Sequence, residues 1–365
     1  MKRVGIIGCG VIAPTYATTL NEIDFIDLVA CSDSVPDRAT QLATRYDIPR
    51  VAPLDALLAD DEIDAVINLT HPKAHGAVTG AALMAGKAVF SEKPLGVEFT
   101  EGKALVDAAA ERGLRLGCAP DTFLGPGLQT GRDIVERGLI GEPVAANGFM
   151  LGPGPEHWHP DPVSFYQLGA GPLLDIGPYY LTALVQLLGP ARRVSAAART
   201  TRAERPILSE PHRGDMIRVE TPTHVSTIVE FASGPIATLV TSFDVAATQY
   251  RNLEIYGTEA TLALPDPNTF GGPVRIRAVG SKQWRDFPLR ATHLPLRRGI
   301  GAADMLWAMG SGRAHRASDA LALHVLEIMT ASIESAETGQ RVELTTSCSP
   351  APLLPLGLAQ HTFDD

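Results

Sequence analysis

Apolar and polar positions alternate along the first third of the chain on two different periods. Short apolar runs fall at Val4–Ile7, Ile26–Cys31, Ala65–Leu69, Ala88–Phe90 and Leu114–Gly117. Each has the length of a strand and the continuous hydrophobicity of one buried on both faces. Between them, Pro36–Arg45, Leu54–Ala59, Ala74–Ala85 and Thr100–Arg112 carry apolar residues near helical spacing. Strand and helix in alternation predict a parallel sheet covered on both sides. Right-handed crossovers then place a ligand at the carboxyl ends of the strands.

After residue 123 the texture changes. A helical pattern over Gly127–Arg137 stops at the turn-rich Gly138–Pro143, and a strand follows from Val144 to Met150. A Gly/Pro loop spans 152–162, and a second helix runs from Leu173 to Leu188, ended by Gly189-Pro190. From about 193 to 290, β-branched alternating runs (Thr223–Phe231, Ile236–Asp244, Leu253–Tyr256, Thr261–Leu264) are separated by Gly, Pro and Asp turns, the texture of an antiparallel sheet. A long helix (Ser318–Thr338) and a short strand (Arg341–Leu344) precede a Pro-rich, unpatterned stretch read as a loosely held tail. The expected organisation is a nucleotide-binding domain over 1–122, a substrate-binding and oligomerisation α/β domain over 123–344, and a tail over 345–365. There are no internal repeats.

The sharpest motif opens the chain. The run Val4–Ile7 leads directly into Gly8-Cys9-Gly10-Val11-Ile12-Ala13, and Asp33 ends the second apolar run. Gly8 permits a tight turn, Gly10 lets backbone approach a pyrophosphate, and Ala13 keeps the next helix close to the strand. The helix start offers free N–H groups and a positive dipole end to phosphates, with Val11 and Ile12 in that cradle. Asp33 is placed for the ribose hydroxyls and would repel a 2′-phosphate, which favours NAD over NADP; Arg38 nearby softens the preference, so NADP stays open. The same aspartate could instead cap the helix starting at Pro36. Thr70-His71-Pro72-Lys73-Ala74-His75, placed after the fourth strand, would pass near the nicotinamide ribose, although its histidines suit helix-capping surface positions equally well.

Composition narrows the partners. The chain of 365 residues is long enough for two domains, and its 45% hydrophobic and 20% charged content is that of an ordinary globular protein. A formal net charge of −10 argues against a general nucleic-acid surface. No apolar run is long enough to span a membrane, and too few residues precede Cys9 for a signal peptide. The four cysteines lack metal or disulfide spacing, which fits reduced thiols in the cytoplasm.

Three further features could carry chemistry. Ser91-Glu92-Lys93-Pro94, placed at the end of the fifth parallel strand, aims a lysine at the crevice; its ammonium can polarise a carbonyl or hydroxyl oxygen. Gly169-Ala170-Gly171-Pro172-Leu173-Leu174-Asp175-Ile176-Gly177-Pro178-Tyr179-Tyr180 puts Asp175 and Tyr179 one helical turn apart, on a shared face. His157-Trp158-His159 could reach the same cleft. If this loop is a strand, its two histidines share a face, but no cysteine completes a metal site and none is expected. Trp158 would offer an apolar face to a sugar ring or simply anchor the loop. His324, on an apolar helix, reads as a satisfied core histidine.

Together these motifs resemble the glucose–fructose oxidoreductase / inositol dehydrogenase / rhizopine-catabolism (Gfo/Idh/MocA) family, in the family's order and over Lys2 to about Leu344. The resemblance implies an N-terminal Rossmann doubly wound sheet and a C-terminal α/β domain with a large open, mainly antiparallel sheet that often makes subunit contacts, hence a homodimer or homotetramer. It also implies NAD(P)-dependent oxidation or reduction at a carbinol or carbonyl carbon, usually of a sugar or polyol. By that likeness Gly8, Gly10, Val11, Ile12, Ala13, Asp33, Thr70, His71, Pro72, His75, Glu92 and Lys93 hold the cofactor. Lys93, Asp175 and Tyr179 carry the chemistry, and His157, Trp158, His159, Tyr166 and Asp175 contact substrate.

One departure matters. Many members have Asp-x-Gly-x-His, whereas this chain ends the motif in Tyr179, resembling the glucose–fructose oxidoreductase and dimeric dihydrodiol dehydrogenase branches. A phenol with pKa near 10 needs a cation to act as a base at neutral pH, and Lys93 is the candidate. Competing readings are a glycosidase-type enzyme with retained NAD, a trans-dihydrodiol-type dehydrogenase, and an inactive nucleotide-sensing regulator. Substrate choice is expected to reside in the loop 152–162 and the Arg-containing segment 199–218.

Overall fold

The computed structural model describes all residues except Arg251, 291–295, 357–361 and Asp365. The chain forms two compact units, one of residues 1–129, 290–323 and 351–365, the other of 130–289 and 324–350.

In the first unit, β1 (Lys2–Ile7), β2 (Ile26–Ser32), β3 (Ala65–Asn68), β4 (Ala88–Ser91) and β5 (Leu116–Cys118) make a parallel sheet in the order β2-β1-β3-β4-β5. Val4 pairs with Leu28 on one side and Ala65 on the other. The central strands are apolar on both faces: Ile6, Ile67, Val89 and Phe90 have no exposed surface. The helices are α1 (Ala13–Asn21), α2 (Pro36–Tyr46), α3 (Leu54–Leu58), α4 (Pro72–Met84) and α5 (Phe99–Glu111), so the predicted periods hold. Strand order reverses at β1/β3, the place where such sheets open a crevice for ligands.

The five predicted runs are the five strands, but the positions assigned to two of them need correction. Thr70 follows the third strand and Glu92-Lys93-Pro94 the fourth, one earlier than expected. The segment between β2 and β3 contributes no strand to the sheet, only an isolated bridge between Val51 and Cys31.

Helix α6 (Pro126–Glu136) leads into the second unit. There β6 (Pro143–Leu151) is followed by α7 (Gly171–Leu188), β7 (Ala191–Arg199), the ribbon β8 (Glu204–Pro206) and β9 (Met216–Arg218), then β10 (His224–Phe231), β11 (Ile236–Ser242), β12 (Leu253–Gly257), β13 (Ala260–Leu264), β14 (Val274–Ala278) and β15 (Arg285–Phe287). All but the ribbon join one open sheet, completed at its edge by β16 (Val342–Glu343). Every pairing in it is antiparallel except β6 with β11. Helix α7 packs on β6, β10 and β11.

From Arg290 the chain belongs again to the first unit, through α8 (Ile300–Ser311), and α9 (Asp319–Thr338) then leads to β16. The described residues of the final stretch are held more firmly than its composition suggests. Arg316 donates to the carbonyls of Pro352, Leu353 and Phe363, and Phe363 is fully enclosed against Phe25 and Trp307. Among the described residues no helix is long and apolar enough to cross a membrane.

Asp121, just past β5, ties α8 to this unit: its Oδ2 accepts from the N–H groups of Gly299 at 2.8 Å and Gly301 at 3.0 Å. The residue is fully buried, and that burial pushes its carboxyl up to about 6 against the pull of the Gly301 N–H and Arg298. A folded-state pKa above the unfolded value means stability present at low pH and lost as pH rises through about 6. Between pH 4 and 7.5 the protein should lose about 2 kcal/mol relative to Asp121→Asn, read as the difference between their urea midpoints. A pH-independent difference would contradict this.

Candidate active site

Five loops gather at the carboxyl edge of the first unit's sheet, and each is fixed by contacts that its sequence requires. The chain leaves β1 through Gly8 at φ +92°, where a Cβ would lie 2.6 Å from the Leu69 carbonyl carbon. No other residue fits both constraints. The Gly8 N–H reaches Ser32 O at 2.8 Å and the Leu69 N–H reaches Ile7 O at 2.7 Å, binding this turn to the ends of β2 and β3. Gly10 is the opposite case: a Cβ there would meet nothing within 4 Å. Its neighbour Val11 is 96% exposed, whereas Ala13 is sealed at the start of α1. The loop is thus an open cradle at a helix N-terminus, the shape that backbone approach to a pyrophosphate needs.

Asp33 sits beside it. Its Oδ2 accepts from the Cys9 N–H and its Oδ1 from the Val35 N–H, both at 2.7 Å. The carboxylate therefore fixes the glycine loop while each oxygen keeps a lone pair for ribose hydroxyls. It does not cap the Pro36 helix by side chain; Val35 holds that position without a side-chain bond.

The segment after β3 is organised around Asn68, a buried polar residue closing an apolar strand. Its Oδ1 accepts from the backbone and hydroxyl of Thr70, and its Nδ2 donates to His75 O and Thr79 Oγ1. His71 and Pro72 are exposed at the start of α4, His71 in the capping position but with no side-chain cap bond. His75 is different from the expected cofactor contact. It is 1% exposed, with Nδ1 2.8 Å from Pro94 O and Nε2 2.8 Å from Thr70 O, so the ring staples the β3 and β4 loops together and offers no face to a ligand. Burial holds its pKa below the usual histidine value, against the pull of these carbonyls and Glu92.

Glu92 is also inward. It is 8% exposed, accepting from Tyr16 Oη at 2.7 Å and from the Lys93 N–H at 3.0 Å. Its carboxylate shapes the turn, and Lys93, half-buried at a cis Lys93–Pro94 peptide, stands at the sheet edge. Tyr16 and Asn68 were not singled out in the sequence. Asn68 was the legible one, as a lone amide ending an apolar run.

In the second unit, helix α7 begins at the second of two glycines with positive φ, Gly169 at 79° and Gly171 at 88°. A Cβ on Gly171 would fall 2.9 Å from Pro222 O, and Thr221 Oγ1 donates to Ala170 O at 3.1 Å. This turn sets the helix start from which Asp175 and Tyr179 follow. Asp175 is half-buried and Tyr179 5% exposed. Tyr180 is buried as well, 1% exposed, and its hydroxyl donates to Phe149 O at 3.2 Å.

His157-Trp158-His159 lies on and after a short 3-10 turn, not a strand, so the alternate-residue argument for a shared histidine face does not apply. Trp158 is 68% exposed and meets the His159 ring edge-on at 5.3 Å, and His159 in turn meets Phe165 at 4.9 Å. The Asp161 N–H donates to His159 Nδ1, leaving Nε2 as that ring's N–H. Tyr166, expected at substrate, has no exposed surface. It lies in a core with Ile207, Ile217 and Phe243, and its hydroxyl donates to Glu156. His324 is a satisfied core histidine, its Nε2 accepting from the Ala191 N–H at 2.9 Å.

Comparison with known proteins agrees with this geometry. Residues 2–119 match the Gfo/Idh/MocA oxidoreductase family, NAD-binding Rossmann fold, and residues 128–263 match the Gfo/Idh/MocA C-terminal domain. An uncharacterised oxidoreductase of Rhizobium meliloti, ORF334, is 32% identical over 279 residues, 73% of this chain and 75% of that one. The chain belongs to the Gfo/Idh/MocA family. It is an oxidoreductase with an NAD-binding domain. A 1,5-anhydro-D-fructose reductase of Ensifer adhaerens is 28% identical over 72% of this chain and 75% of its own length. A trans-1,2-dihydrobenzene-1,2-diol dehydrogenase of Bos taurus is 30% identical over 54% and 59%. In fold, a levoglucosan dehydrogenase structure superposes with a TM-score of 0.82 at 22% identity, over 95% of this chain and 99% of that one.

The two glycines of this Gfo/Idh/MocA loop make opposite predictions. Gly8→Ala should destabilise the first unit, since neither the backbone angle nor the Leu69 contact tolerates a Cβ. Gly10→Ala should melt like wild type yet weaken NAD binding about tenfold or more, or at least 1.4 kcal/mol. Thermal melts with an NAD fluorescence titration separate the two; an unchanged dissociation constant for Gly10→Ala would remove Gly10 from the cradle.

Proposed function

We propose that this protein transfers a hydride between nicotinamide and a carbinol or carbonyl carbon of a sugar, inositol or related polyol. The carrying observation is Lys93. A half-buried cation stands at the end of β4, on a loop braced by Glu92 and His75, at the same sheet edge as the Gly8–Ala13 cradle. Residues 1–122 are assigned to the nucleotide and 123–344 to the substrate. Asp33 supports NAD over NADP.

Bound NAD supplies the hydride acceptor, and its reduced form the donor. The chain supplies the proton chemistry. Tyr179 Oη takes the proton from the substrate hydroxyl and returns it in reduction. Lys93 contributes the positive charge that favours phenolate and steadies charge on the substrate oxygen. Asp175, one turn before Tyr179 on α7, orients the lysine or a neighbouring substrate hydroxyl. His157, Trp158 and His159 meet the polyol, Trp158 through its exposed ring face. Four buried free thiols, Cys9, Cys31, Cys118 and Cys348, support a reducing, cytoplasmic setting. Half-exposed Ile228 and Ile236 on the open sheet support a homodimer or homotetramer.

A second substrate reading, a trans-dihydrodiol or other non-sugar alcohol, is favoured by the tyrosine at 179 and by the bovine relative's name. Nicotinamide absorbance followed across sugars, inositols and diols, with NAD and NADP separately, decides between them. Tyr179→Phe should lower kcat by about 10²–10⁴-fold with NAD affinity unchanged, and Lys93→Met should abolish turnover. Full activity in Tyr179→Phe would transfer the acid–base role to His157 or His159. Silence across the panel with NAD tightly held would favour a retained-cofactor enzyme or a sensing protein.

A further inference from the structure

Beneath the loop that carries Trp158 lies a charged cluster that the proposed chemistry does not use. Arg205, on β8, is 5% exposed, and every arm of its guanidinium is engaged. Nε donates to Glu156 Oε1 at 2.8 Å and Nη1 to Asp244 Oδ1 at 2.7 Å, while Nη2 donates to the carbonyls of Pro153 at 3.2 Å and Phe243 at 3.0 Å. Its Cζ also stands 5.3 Å from the Tyr166 ring centroid. Glu156 is 3% exposed and accepts the Tyr166 hydroxyl on its other oxygen. Asp244 takes Thr223 Oγ1 at 2.6 Å on its own second oxygen.

We propose that Arg205 is a positioning residue: it locks the base of the 153–166 loop from inside the second unit, so that His157, Trp158 and His159 are presented to substrate in one orientation. This rests on the substrate role given to that loop above. Two independent features agree. Gly154 has φ +98°, and a Cβ there would fall 2.3 Å from Glu156 Oε2 and 2.4 Å from Tyr166 Oη, so the loop is threaded through a pivot that only glycine fits. The outer wall is pinned as well, with the Leu208 N–H on Glu156 O at 2.9 Å and Ser209 Oγ on His159 O. The exposed aromatic tip thus stands on a rigid, desolvated base.

The chemistry of the clamp explains why arginine is needed. An apolar cluster of equal volume could be as stable, but it would not dictate direction. A planar fork donates along fixed lines to two carboxylates and two carbonyls at once. Lysine, a point charge, could satisfy only part of that set. The clamp also reaches the catalytic helix: Thr223 binds Asp244, and Thr221, two residues earlier, holds Ala170 at the turn into α7.

The test compares full-length wild type with Arg205→Lys, Arg205→Met and the milder Tyr166→Phe, by hydrogen exchange and steady-state kinetics. Arg205→Lys should raise exchange across 153–166 by about tenfold, with β10 and β11 unchanged, and raise substrate KM by about tenfold with a smaller change in kcat. NAD affinity should stay at the wild-type value. If both Arg205 variants fail to fold, Tyr166→Phe carries the test, in the same direction with about threefold effects. Wild-type exchange and KM in Arg205→Lys, or in Tyr166→Phe where that variant decides, would overturn the proposal. Loosened exchange with no change in KM would overturn the substrate role of the loop. A wild type inert toward every polyol would sink the proposed function instead, while exchange still reads the clamp.

Discussion

The turn at Gly8 is the constraint on which the first unit depends. In a sheet ordered β2-β1-β3-β4-β5, the chain must leave β1 between two neighbours that are themselves ending. The only room is against the Leu69 carbonyl, at a backbone angle closed to other residues. From that turn follow the bonds to Ser32 and Leu69, the seating of Cys9 on Asp33, and the direction in which α1 departs. Lys93 is brought to the same edge because β4 lies two strands away in register.

Both units solve the problem of buried charge in the same way, by giving each oxygen of a carboxylate its own donor. Glu92 spends one on Tyr16 and one on Lys93, and Glu156 one on Arg205 and one on Tyr166. Asp121 departs from this pattern: its Oδ1 has no partner among the described residues, and its carboxyl is correspondingly pushed up. Loops that would otherwise be loose around a ligand are in this way made stiff by groups that never meet it.

Much of this was legible in the sequence because periodicity reports burial. Val4–Ile7 and Ala65–Leu69 could only be enclosed strands, and Gly8-x-Gly10-x-x-Ala13 stated its own geometry. Where the reading failed, the deciding contact left no mark in the local pattern. Ala191–Arg199 is alanine-rich and becomes a strand by pairing with β10 and β16. Residues Ile300–Leu306 are buried on nearly every side, so no amphipathic stripe announced α8. His75 and Tyr166 looked like ligand-facing residues because nothing local shows that Pro94 and Glu156 receive them. Segment 199–218 was singled out for its arginines, but that the one at 205 is internal depends on Glu156 and Asp244.

The first unit is not a continuous stretch of chain. It is closed by α8, whose start is capped by Asp121, and by the C-terminal stretch that Arg316 binds through three carbonyls. During synthesis the parallel sheet therefore emerges long before its last pieces exist. Its floor around Phe25 and Trp307 stays uncovered until Phe363 has left the ribosome. The second unit, of which 130–289 comes first, has most of its chain available earlier. In this protein the part translated first is among the last that can be finished.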